Sequence, residues 1–163
     1  MDARTRLLLQ AFAALLIVSN GLLATEALDI RDYEAADVCE EAAKQVRVTV
    51  TNVGEGGILT VELYNDPDNF LNKKGRERRI RIPAQPGVQK VCFNIQDPGS
   101  YAVAAYHDID GNRKLKKKWN MMPKEPFGLS NNPVLKMGFP KFKKSEFETG
   151  QLGADIVVNL KKP

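Results

Sequence analysis

The single histidine of the chain, His107, stands directly before Asp108, and Asp110 and Asn112 follow at alternate positions around Gly111. Oxygen-bearing side chains spaced by two in a glycine-containing turn suit a hard cation, because Ca2+ collects several oxygens at short range. Asp108, Asp110 and Asn112 are therefore the metal candidates, and Ca2+ is the one cofactor the pattern admits. The match to a helix-flanked calcium loop is poor. Gly111 precedes the third ligand instead of following it, and Trp119 occupies the place of the bidentate glutamate. Weak affinity is expected, set against an Asx-rich turn whose carboxylates cap backbone N–H groups.

His107 also has the unperturbed pKa, about 6.5, of a general base or metal ligand. With Asp108 to orient it and Ser130 as nucleophile, the residue types of a metal-assisted or serine hydrolase are present. Ser130 lacks a Gly-x-Ser-x-Gly context. The competing reading has no catalytic residue, with His107 as a buried ring that fixes the loop after it. Asn131 and Asn132 offer amides that either latch that loop or bind a glycan. Lys116, Lys117, Lys118 and Trp119 resemble a surface that meets anionic headgroups, with a solvated turn as the alternative.

These residues need a rigid frame. From Tyr101 to His107 the residues alternate, so Tyr101, Val103, Ala105 and His107 share one face of a strand. Val46, Val48 and Val50 alternate in the same way, and Leu59, Val61 and Leu63 across the Asn52–Gly57 turn read as their hairpin partner. Ile80 and Ile82 point inward from a third strand with Arg79 and Arg81 outward, and Val91, Phe93 and Ile95 put Cys92 on an outer face. A short strand near Phe147 and a closing one through Ile156, Val158 and Leu160 bring the count to about seven. The expectation is an all-β chain forming a single antiparallel β-sandwich with one long basic loop, Asp108 to Lys144.

Domain organisation follows from the ends. Arg4 and Arg6 precede an apolar run from Leu7 to Val18 and then small residues, which reads as a signal peptide over residues 1–27. Residues 28–45 form an acidic N-terminal arm and 46–163 the sandwich domain; no later run is apolar and long enough to span a bilayer. Export predicts a periplasmic or secreted protein, and the only two cysteines, Cys39 and Cys92, then most simply pair, with two free thiols as the alternative. The net charge of +4 hides an asymmetry. Six acids face one arginine between Asp29 and Glu41, whereas ten basic residues face only Glu125 between Arg113 and Lys144. Arm and loop can attract each other, or the loop can attract an anionic envelope component or a partner protein. Export argues against nucleic acid.

Pro98-Gly99-Ser100-Tyr101-Ala102-Val103, His107-Asp108, Asp110-Gly111-Asn112, then Pro123-Lys124-Glu125 and Gly128-Leu129-Ser130-Asn131-Asn132, with Gly138-Phe139-Pro140 beyond, carry a resemblance. The chain resembles the bacterial secreted family known as domain of unknown function 2141, over roughly Val46 to Leu160. The resemblance implies a signal peptide and a small, prealbumin-like β-sandwich, and no activity. Arg113 and Lys116 to Lys118 stand where the family has small or acidic residues. The expected function is an exported non-enzymatic binding module using its basic loop; a hydrolase at His107, Asp108 and Ser130 and a weak calcium-binding structural domain are the alternatives.

Overall fold

Valine at every second position makes Gln45–Val53 the first strand, β1, with Val46, Val48 and Val50 fully buried. The structure is a computed structural model and describes residues 28–119, 122–134 and 140–162. The expected signal peptide lies outside the described residues, as do Met121 and the Gly138-Phe139 part of the family motif. Strands follow at Ile58–Tyr64 (β2), Arg76–Pro83 (β3), Gly87–Asn94 (β4), Ser100–Asp108 (β5), Phe127–Leu129 (β6), Phe147–Glu148 (β7) and Gly153–Asn159 (β8). They form two sheets, one ordered β4-β1-β8 and the other β3-β2-β5-β6, with β7 also on β5. The all-β sandwich read from the sequence is the fold.

Three features differ from the sequence reading, the first being that β6 lies inside the expected Asp108–Lys144 loop, where Phe127–Leu129 pairs with Tyr106–Ala104 of β5. β1 and β2 are not hairpin partners: β1 pairs with β4 and β8, β2 with β3 and β5, so the Gly54–Gly57 turn carries the chain from one sheet to the other. β8 runs parallel to β1, with Gln45 opposite Gly153 and Thr51 opposite Asn159, amid otherwise antiparallel strand pairs. Both sheets turn their alternating apolar faces inward. Val46, Val48, Val50, Val91, Phe93 and Val158 meet Leu59, Val61, Leu63, Ile80, Val103 and Ala105 in one core. Each such valine, leucine, isoleucine or phenylalanine side chain contributes about 1.5–3 kcal/mol by leaving water.

The acidic arm clasps one side of the sandwich. Asp37 bridges Cys92 on β4, and Cys39 is disulfide-bonded to Cys92, so the outward cysteine is reached by the arm as expected. On the other side Phe127 and Lys161 exchange backbone hydrogen bonds of 3.0 and 3.1 Å, tying β6 to the chain beyond β8. Arg78 on β3 donates to Asp37 and, at 3.0 Å, to Ala35 O, so the arm also reaches the second sheet and the two sheets are joined at both margins.

Candidate functional site

The outer face of the β3-β2-β5-β6 sheet is not solvated. Tyr64, Ala102, Ala104, Tyr106, Phe127 and Leu129 project from it, and Phe70, Phe142, Leu71 and Leu115 fold over them into a second apolar cluster. Ala104 sits centrally among aromatic neighbours, and its small side chain leaves a hollow of ≈ 450 Å³ floored by Tyr64, Ala104, Tyr106 and Phe127 and bounded by Leu71 and Leu115. Its volume falls within the roughly 300–1,000 Å³ of small-molecule sites. Strand register grades it from charge to carbon: Arg79 lies opposite Glu62, Glu62 opposite Ala104, and Ala104 opposite Leu129.

The charged margin of the hollow is built around Glu62. Its Oε1 accepts from Arg76 at 3.0 Å and from Arg79 at 2.7 Å, and its Oε2 accepts the Tyr64 hydroxyl at 2.6 Å. Two guanidinium groups on one carboxylate leave a net positive charge. Burial, then the neighbouring Glu62 carboxylate, pushes the Tyr64 phenol far above its ordinary pKa, so it stays protonated and donating. Lys73, Arg113, Lys114 and Lys117 also line the hollow, and among the described residues Glu62 is the one acid that does. In the loop, Lys118 N donates to Met122 O and Lys124 N to Lys116 O, both at 2.7 Å, so the basic segment folds back on itself. Trp119 beside it is 97% exposed.

A buried ion cluster fixes the loop. Arg81 is 2% exposed although alternation turned it outward, because arm and loop cover that face. Glu34, 3% exposed, accepts from Arg81, and its two oxygens accept from Arg113 at 3.1 and 3.0 Å; Arg81 also donates to the Arg113 carbonyl at 3.0 Å. Arm and loop therefore attract each other through a desolvated carboxylate. Among the described residues Arg81 Nε has no hydrogen-bond partner.

His107 and Asp108 both engage the turns around them, His107 through Nε2 alone, since among the described residues its buried Nδ1 has no partner. The imidazole points inward, its Nε2 donating to Gly56 O at 2.6 Å, and a side chain at Gly54 would strike the ring at 2.8 Å. Asp108, fully buried, accepts from the backbone N–H of Asn112 at 3.2 Å and from that of Arg113, and Asn112 Oδ1 accepts from Lys114 N at 2.9 Å. This is the Asx-rich turn. The carboxylates of Asp108, Asp110 and Glu125 lie within 4.8 Å of one another, which adds Glu125 to the oxygens gathered at this turn. Lys116 pairs with Asp110, holding its carboxyl down at about 2, whereas burial raises Asp108 and Glu125.

Ser130 is remote from His107. Its Oγ accepts from Val103 N at 2.9 Å and donates to Ser145 O, four residues back along β5, which at a strand rise of about 3.3 Å puts it on the order of 13 Å from the histidine. The two are not assembled as nucleophile and base. Asn131 donates to Glu146 O at 2.6 Å, and Asn132 donates to Val157 O at 2.9 Å while accepting from Asn159 N at 2.7 Å. Their amides latch the segment after β6 onto the sandwich.

The family described as an uncharacterized protein conserved in bacteria (DUF2141) matches residues 46–156. The chain belongs to this family. No curated protein and no solved structure matches it. The matched stretch holds Glu62, Arg76, Arg79, Ala104, Tyr106 and Phe127, so the hollow is built within the family's own extent. The arm with Glu34 and Cys39 precedes the match. Sequence reasoning missed the Glu62 group and Glu34. The available signal was a lone glutamate inside an apolar strand, followed by Arg76, Arg78, Arg79 and Arg81.

Proposed function

We propose that this protein is an exported, non-enzymatic binding module that meets an anionic component of the bacterial envelope through its basic loop. The observation that carries the reading is the ring of cations around an apolar hollow, in which Glu62 is the only acid among the described residues. Beside it Lys118 and Trp119 stand exposed, an arrangement suited to a headgroup layer. The Cys39–Cys92 disulfide suits an oxidising compartment and so supports export. Against a hydrolase stands the engagement of Ser130 by Val103 N and Ser145 O, well away from His107.

Trp119 is the only tryptophan and is solvated, so its fluorescence reports the encounter directly. Vesicles containing phosphatidylglycerol are expected to shift its emission to the blue at low salt, and phosphatidylcholine vesicles to leave it unchanged. Each lysine near such a surface is worth about 1 kcal/mol, so Lys118→Glu should weaken binding at least fivefold. Equal response to both vesicle types, or none to either, overturns the proposal.

A further inference from the structure

We infer that the hollow over Ala104 holds one single-chain anionic amphiphile, a straight-chain alkyl carboxylate being its simplest form. The inference rests on the proposed anionic-ligand reading and names the ligand class. Two independent properties of the site point to it. The first is shape: the floor of Tyr64, Ala104, Tyr106 and Phe127 is apolar and leaves ≈ 450 Å³ unfilled beneath Leu71 and Leu115. Alanine is depleted in strands relative to branched and aromatic residues. Ala104 sits between Glu62 and Leu129, with Tyr64, Tyr106 and Phe127 around it on the same face, and its smallness is what opens the space.

The second property is the direction of the charge. Arg76 and Arg79 share the single Glu62 carboxylate at the β3 side, so one positive charge there is uncompensated. Lys73 and Lys114 line the same hollow, are exposed, and make no ion pair among the described residues. At the opposite side, toward β6, the strand residues that line it are Tyr106 and Phe127. A carboxylate would lie between Arg76, Arg79 and the two lysines, accepting charge-assisted hydrogen bonds, and its alkyl chain would cross Ala104 toward Phe127. A neutral apolar ligand would leave the cations unanswered. A cationic amphiphile would bring like charge to them.

Calorimetric titration of the mature, disulfide-intact protein with hexanoate, octanoate and decanoate, each below its micellar concentration, tests this. One site per chain is expected, with affinity rising about fourfold for each added methylene that is buried. Decyltrimethylammonium should bind at least tenfold more weakly than decanoate. Lys73→Glu combined with Lys114→Glu, both on the exposed rim, should weaken decanoate at least tenfold while leaving the melting temperature unchanged. Ala104→Leu should flatten the chain-length dependence by filling the floor. The inference is overturned by the absence of saturable decanoate binding, by affinity independent of chain length, or by equal affinity for the cationic amphiphile. Vesicle binding without decanoate binding overturns the pocket alone and keeps the surface reading; loss of both overturns both.

Discussion

Replacing Glu34 by Gln would keep the shape of the arm's buried side chain and remove its charge. Arg81, with 1% of its side chain exposed, would then share a neutral amide with Arg113. Among the described residues no other carboxylate is paired with Arg81, and its Nε already lacks a partner. Stranding a buried charge in this way costs about 3–5 kcal/mol. That is a large share of the roughly 5–15 kcal/mol that holds a domain folded. At about 2–4 °C per kcal/mol for a chain of this size, the melting temperature should fall by about 6–20 °C. Equilibrium unfolding in urea with the disulfide intact measures the loss, and Glu34→Leu with Arg81→Met provides the control. Removing both charges together should recover most of the stability, since an apolar pair avoids the desolvation that the ion pair must offset. A loss below about 1 kcal/mol for Glu34→Gln, or a double variant no more stable than that single one, would refute the assignment of Glu34 as counter-ion to a buried guanidinium.

Three further outcomes are expected. Cys39→Ser with Cys92→Ser opens a loop spanning 53 positions and should lower stability by about 4 kcal/mol, read from urea midpoints of the oxidised wild type and the variant. Gly153→Ala should prevent pairing of β8 with β1, because φ is +82° there and a Cβ would sit 1.7 Å from Gln45 O; amide exchange along β1 would expose this first, and unchanged protection would contradict it. Burial raises Asp108 and Glu125, so the folded state keeps their protons to higher pH than the unfolded chain does, and their ionisation costs stability as pH rises from the ordinary carboxylate range through the raised values. Asp110, held down by Lys116, acts in the opposite sense, its contribution being lost as pH falls toward about 2. Asp108→Asn should therefore lessen the decline of stability as pH rises above the ordinary carboxylate range, whereas a wild-type-minus-variant difference constant over that rise would count against it.

The sequence by itself determined the two-residue period of the strands, the inward valines, the outward Cys92 and its bond to the arm, and the Asx turn after β5. Each of these is local: a strand alternates, an aspartate caps the nearest N–H groups, and two cysteines have only each other. Tertiary structure decided whatever depended on what covers a face. Two alternating segments joined by a glycine-rich turn read the same whether they pair or pass between sheets, so the parting of β1 from β2 carried no local signal. Arg81 alternates outward and is nonetheless buried, because the arm and loop arrive from 47 residues before it and 32 after it. The distance between His107 and Ser130 was set by register, since pairing Leu129 with Ala104 places the serine at Val103. The hollow has the same origin: Glu62, Arg79 and Ala104 become one graded row only when three strands lie side by side.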